Sequence, residues 1–393
     1  MSRKISSPER FTYWLEQRWV NPAFAGWLLS GFATFFFLAG TNTLAGWLYV
    51  ISGVSFALLL LGAVLPARSL RSIQVSRRPI APVSAGDVLT VELQIHNQTD
   101  QARGLLVVED LIPFVIGPPQ LEVVENLAPT SSHRWTYTTP TVPRRGVYRW
   151  QEVQLRTAAP LGLFWCRRQR NAPAVAVVYP TVLPLAQCPL VDEMGRETSQ
   201  TRRSLEHRFL ASTEGVTRSL RPYRRGDSTR LIHWRTSARY GDLRVRELER
   251  STGVQEVVIA LDCQCSWNPE DFEQAVIAAA SLYFYGRRRN LSTRLWSSDT
   301  GLLQGDRSVL EVLAAIQPTP QPSTVSGRST QLKPASLPSL PLAWLSSSAP
   351  SQALPLGSRV LLWGTQSQTE LPGLIIQPNQ PLQNQLQGLA QMV

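Results

Sequence analysis

The sequence predicts a multi-domain chain: two N-terminal transmembrane helices, an antiparallel β-sandwich, and a C-terminal α/β domain of Rossmann-like type. Three observations predict it. Two long charge-free runs stand near the start, strict period-two alternation begins after Pro82, and a β/α alternation follows Gln255. With 393 residues there is room for two soluble domains beside an anchor.

The first run, Ala23 to Gly40, and the second, Leu44 to Leu65, hold no charged residue. A helix needs roughly 20 apolar residues to cross a bilayer, so residues 23–65 read as a membrane hairpin turned at Thr41, Asn42 and Thr43. Arg3, Lys4, Arg10 and Arg18 precede it, Arg68, Arg71, Arg77 and Arg78 follow it, and the turn has no charge. The positive-inside bias then keeps residues 1–22 and everything after the hairpin in the cytoplasm. Trp27 and Trp47 stand near span ends, where indole favours the interface. Residues 66–81 read as a linker.

From 82 to 180 the pattern is that of a β-sandwich. Leu89, Val91, Leu93 and Ile95 alternate with Thr90, Glu92, Gln94 and His96, as on a half-buried strand. Further short extended runs follow between Pro- and Gly-containing turns, the spacing of an antiparallel sandwich. His96 and His133 are isolated and read as solvent-face residues.

The formal charge of +11 is carried almost wholly by arginine, since lysine occurs only at positions 4 and 333. The four cysteines, Cys166, Cys188, Cys263 and Cys265, form no CxxC pair and suit a reducing compartment. Arginine is densest in a connector, residues 181–250. There Asp227 or Ser228 is a candidate N-cap. Leu231, Trp234, Arg235 and Ala238 fall at helical spacing, and Gly241 can end that helix. LRVREL then alternates as a strand. Three uses of this charge are open: an ion-pair network of Asp227, Arg230, Arg239 and Glu247 tying the domains together, a solvated basic face, or a recognition surface for an acidic partner, lipid headgroup or nucleic acid. Tyr223, Trp234 and Tyr240 could stack bases, but Asp227, Asp242, Glu247 and Glu249 offset the charge and count against nucleic acid.

Residues 251–393 alternate as β/α. EVVIALD is a nearly continuous apolar strand, as expected when both faces are covered. Asn268 and Pro269 open a helix that should bury Phe272, Val276, Ala279 and Tyr283. DRSVLEVLAAI is a second helix, with Val309, Leu310, Leu313 and Ile316 inward. A Pro/Ser-rich insertion spans about 317–357, and RVLLWGT and LIIQ resume strands. Ligands of such sheets sit beyond the carboxyl ends of strands, where Asp262 falls. Asp262, Gln264 and Ser266 occupy the positions of the D-x-S-x-S loop that holds a divalent metal in von Willebrand factor A domains, with Asp299 as an added candidate. Gln264 stands where that loop has its first serine, so a Mg or Ca site here would be degenerate and no cofactor is assigned.

The motif G-D-x-x-R-x-I-x-W-x-x-x-A-R is met by Gly226, Asp227, Arg230, Ile232, Trp234, Ala238 and Arg239, shortly after Arg221 and Tyr223. It resembles the signature of the domain-of-unknown-function-58 family. RRGVY at Arg144–Tyr148, PLGLF at Pro160–Phe164, VYP at Val178–Pro180 and the paired spans are also similar to that family. Val216 departs from it, where an aromatic is usual. The resemblance implies a membrane-tethered protein of the bacterial plasma membrane, with a von Willebrand A-like domain. It further implies association with a MoxR-type AAA+ ATPase that matures or assembles other proteins. No catalytic residues come with it.

No Gly-rich phosphate loop ending in lysine, HExxH, GxSxG or histidine–carboxylate cluster occurs. The expected role is therefore a membrane-anchored, non-enzymatic adaptor acting through protein–protein interaction. The alternatives are a basic surface for anionic lipid or nucleic acid, and a metal-dependent enzyme centred on Asp262.

Overall fold

A computed structural model describes residues 7–194, 196, 217–224, 227, 229–248, 256–318, 337–350, 352–364, 372–378 and 380–388. The chain divides into two compact units, Met1–Tyr179 and Pro180–Val393.

The first unit opens with α1 (Ser7–Arg18) and a two-residue strand, β1 (Asn21–Pro22), neither of which the sequence pattern announces. Two long helices follow, α2 (Phe24–Thr43) and α3 (Gly46–Arg71). Both are long and apolar enough to cross a membrane, and only 17% and 22% of their apolar windows are buried. They pack along a seam of small residues. Ala33 and Gly40 of α2, spaced by seven, meet Ser52 and Leu48 of α3, whereas Gly26 and Gly62 are covered by Leu163. The Ser52 hydroxyl donates across the seam to the Ala33 carbonyl at 2.9 Å. Small residues at heptad spacing let two backbones approach closely, the usual solution where both partners are equally apolar. Phe24, Phe35, Leu38, Val50 and Leu60 face outward.

Two β-sheets share one core beneath this hairpin. The smaller has the order β2 (Ile73–Arg77), β4 (Val88–Asn97), β7 (Ser132–Thr141), all antiparallel. The larger runs β1, β9 (Phe164–Tyr179), β8 (Gly146–Thr157), β5 (Arg103–Asp110), β6 (Gln120–Leu127), with β3 (Val83–Ser84) parallel to β9. Leu89, Val91, Leu93 and Ile95 are fully buried, as their alternation predicts. One buried polar cluster crosses this core. Arg77 pairs with Asp110 and donates to the Ala172 carbonyl, and the Tyr137 hydroxyl donates to Asp110 at 2.7 Å. Both side chains of the ion pair are wholly buried. Burial first, and then the Asp110 carboxylate, push the Tyr137 hydroxyl far above its ordinary range.

β9 fastens the helices to the sheets with arginine. Arg168 donates to the Glu16 and Gln17 carbonyls at 3.1 and 2.8 Å and to Trp19 at 3.3 Å, closing the C-terminal end of α1. Arg170 donates to Leu70 at the end of α3 and to Ile73 at 2.9 Å. Helix C-termini leave carbonyls without intrahelical donors and carry partial negative charge, so a guanidinium satisfies both demands. The Glu16 carboxylate, nearly buried, lies 2.9 Å from Arg156 and 3.3 Å from Arg167.

The second unit carries a two-stranded antiparallel hairpin and an α/β sheet. The hairpin is β10 (Thr217–Pro222) and β11 (Arg244–Leu248). The sheet has the order β14 (Gly301–Leu303), β13 (Ser292–Ser297), β12 (Glu256–Leu261), β15 (Leu342–Ser346), β16 (Arg359–Trp363), β17 (Gly373–Ile376). All neighbours are parallel except the edge strand β14. The main core packs the sheet against the longest helix of this unit, Pro269–Arg288, through Phe272, Val276, Ala279 and Tyr283, all at most 1% exposed. Val309 and Leu313 of the helix Asp306–Ala315, and Leu386 of Leu382–Gln387, join the same core. β15 lies inside the stretch read as a Pro/Ser-rich insertion, yet every one of its residues is buried in mid-sheet. Leu185, Cys188, Val191 and Met194, assigned to the connector by sequence, also pack into this core.

Candidate interaction site

Between β10 and β11 the chain makes a short 3-10 turn (Thr229–Leu231) and a seven-residue helix, here α4 (Trp234–Tyr240). Its local logic is polar. Asp227 binds the Arg221 guanidinium through both oxygens, at 2.7 and 2.6 Å, and accepts from the Arg224 amide at 2.7 Å. The Arg221 hydrogen bonds, then the Arg224 amide, hold the Asp227 carboxyl down at about 2. Asp227 is thus spent on β10 and is not the N-cap of α4. That role falls to His233, whose Nδ1 accepts from the Thr236 amide at 3.2 Å. The Ser237 hydroxyl donates to the His233 carbonyl and accepts from the Arg244 amide at 2.9 Å, locking α4 to β11. Gly241 ends the helix at φ 78°, a left-handed position that suits glycine.

The motif residues therefore divide into two sets. Arg221, Asp227 and Ile232 hold the hairpin, Ile232 being 6% exposed and bridged to Val245, and the Tyr223 amide donates to Leu243 at 2.8 Å. Arg230, Trp234, Ala238 and Arg239 face solvent. Trp234 is 65% exposed and Tyr240 62%, and Arg244 lies over the Tyr240 ring at 4.7 Å. Trp234 and Ala238 share one stripe of α4, and Arg235 and Arg239 the adjacent one. Gly226 lies outside the described residues, as do Ser228 and the Glu247 side chain. The expected network of Asp227 with Arg230 and Arg239 does not form; Asp227 reaches Arg221 instead, six residues back and across the turn.

A second edge is built at the sheet's switch point, where β12 and β15 are neighbours and the order of connection reverses. Asp262 follows β12 and accepts from the Ser346 hydroxyl at 3.3 Å and from the Gln264 amide at 3.0 Å. Gln264 and Ser266 have exposed side chains, and the Ser266 carbonyl accepts from Ser347 at 2.6 Å. Cys265 Sγ lies 3.4 Å from Ser346 Oγ, placing a soft thiol beside the carboxylate. Among the described residues no three His, Cys, Asp or Glu side chains gather as a ligand set. Asp262, the Ser346 hydroxyl and the Cys265 thiol form a mixed donor set, with Asp299 near enough to act on Cys263. Burial first, then Asp299 and Asp262, push the Cys263 thiol up to about 12, making it inert packing. Ser346 was hidden from sequence reasoning; its only signal is that it closes the apolar run LAWL.

Solved structures offer faint likeness. A CARDB domain from Pyrococcus furiosus is 15% identical, with a TM-score of 0.20, and the match covers 27% of this chain and 94% of that one. A beta-glucosidase from Listeria innocua in complex with glucose is 16% identical, TM-score 0.15, covering 25% of this chain and 16% of that one. A GH20 exo beta-N-acetylglucosaminidase from Vibrio harveyi is 12% identical, TM-score 0.20, covering 58% and 47%. No curated protein matches the chain. Residues 219–336 match the family model described as "Protein of unknown function DUF58", so the chain carries a DUF58 domain running from the motif hairpin into the α/β sheet.

Proposed function

We propose that the chain is a membrane-anchored, non-enzymatic adaptor. In this reading α2 and α3 span the membrane with both chain ends in the cytoplasm, and the exposed motif surface engages a MoxR-type AAA+ ATPase or its client. The observation that carries it is the division of the motif: Arg230, Trp234 and Arg239 are exposed on α4 and its approach, whereas Arg221, Asp227 and Ile232 build the support beneath them. Exposed tryptophan flanked by arginine is the composition of interface hot spots. Acidic residues beside the arginines favour a protein partner over a polyanion.

The test is affinity capture of the detergent-solubilised full chain with nucleotide present, comparing wild type with Arg230→Ala, Arg239→Ala and Asp262→Ala. Wild type and Asp262→Ala are expected to retain a AAA+ ATPase, and the two arginine variants to lose it. Wild type without the ATPase removes the adaptor reading. Loss on Asp262→Ala alone transfers the role to the switch-point edge. Capture that collapses between low and moderate salt, with anionic vesicles or nucleic acid competing, replaces the protein partner by a polyanion.

A further inference from the structure

The PLGLF segment, Pro160–Phe164, is not used by the adaptor surface, and its placement has a meaning of its own. It lies in the β8–β9 turn, at the end of the larger sheet nearest the helical hairpin. Leu163 is seated between the two long helices. Its carbonyl accepts from the Ala23 amide at 2.8 Å and lies over Gly26, where any side chain would overlap it. A Cβ at Gly62 would come within 3.1 Å of the Leu163 side chain. Gly26 stands three residues inside the start of the first charge-free run, and Gly62 three residues inside the end of the second. At 1.5 Å per residue both helices place Leu163 about 4.5 Å inside the apolar boundary.

From Ala158 to Trp165 the turn carries no charge, and Leu161 at its tip is 42% exposed. Trp19 and Phe24, 69% and 81% exposed, flank the same end of β9, while Arg18, Arg68 and Arg71 mark the aqueous side. We infer that this turn is a third membrane element: a wedge whose Leu161 tip enters the cytoplasmic leaflet beside the hairpin, with lipid as its partner. The wedge fixes the end of the sandwich that carries the β8–β9 turn at the bilayer surface and rests on the membrane-spanning reading above.

The test uses the full chain in proteoliposomes with Cys265→Ser as background, since the other three cysteines are buried. An environment-sensitive fluorophore is placed singly at Leu161→Cys, at Phe35→Cys in the middle of α2, and at Arg144→Cys, beyond the opposite end of β8. The Leu161 probe is expected to be blue-shifted, quenched by lipids bearing a nitroxide near the headgroup and shielded from aqueous iodide. The Arg144 probe should show the reverse, and the Phe35 probe should be quenched by mid-chain nitroxide. A Leu161 probe that behaves like Arg144 while Phe35 is quenched overturns the wedge and leaves the spans intact. A Phe35 probe open to iodide overturns both.

Discussion

Arginine does opposite work in the two units. On β9, Arg167, Arg168 and Arg170 are half-buried and their donors are taken up by helix ends and by Glu16. Around α4, Arg230, Arg235 and Arg239 are exposed, and their guanidinium groups make no hydrogen bond or ion pair with another described residue. One residue type thus serves cohesion in one place and display in the other. Charge along a sequence gives no hint of which; the supply of orphan carbonyls and carboxylates nearby decides it.

Four measurements break or sharpen this contrast. The largest effect belongs to the buried end of the scale. Arg77→Ala leaves Asp110 charged, buried and unpaired, and should cost about 3–5 kcal/mol in denaturant unfolding of the first unit. Arg170→Ala strips donors from the ends of α3 and of the chain just after it, and should cost about 1.5–3 kcal/mol, with Arg170→Lys recovering part. A third test is pH. Asp227 titrates at about 2 when folded against an ordinary 3.8, so its contribution is complete above 3.8 and is lost as pH falls towards 2. Hydrogen exchange across residues 217–248, corrected for intrinsic rates, should accelerate over that window, and Asp227→Asn should remove the pH dependence. The smallest effect is expected at the display end: Arg230→Ala and Arg239→Ala should stay within about 0.5 kcal/mol of wild type in stability while abolishing capture. Should Arg239→Ala destabilise as much as Arg170→Ala, the contrast fails and the adaptor reading loses its footing.

Periodicity made the regular parts legible. Leu89 to Ile95 and the Phe272 to Tyr283 face were readable because alternation and helical spacing report burial directly. α4 and its Gly241 stop were readable from local residue chemistry. β2 and β15 were not, since five-residue strands beside arginine or inside Pro/Ser-rich sequence leave too short a pattern. α1 was missed because Glu16, which ties it to the sheet, meets Arg156 and Arg167 only once strands far along the chain are placed beside it. At the site, the exposure of Trp234 and the diversion of Asp227 to Arg221 depend on how the hairpin closes, which spacing cannot report. The Asp262 loop shows the converse: its residue types were noticed, but the side chain that meets the carboxylate, Ser346, comes 84 residues later.

α3 runs through to Arg71, and β2 begins at Ile73. One residue, Ser72, separates a helix long enough to span a membrane from a strand hydrogen-bonded into the sandwich. Such a joint has no slack. A twist or tilt imposed on α3 by neighbouring lipids or proteins must turn the β2 sheet with it, like a key and its shaft. Grafting a foreign span onto this scaffold would therefore have to preserve helical phase at Arg71, because a single inserted residue would rotate the attached sheet by about 100°.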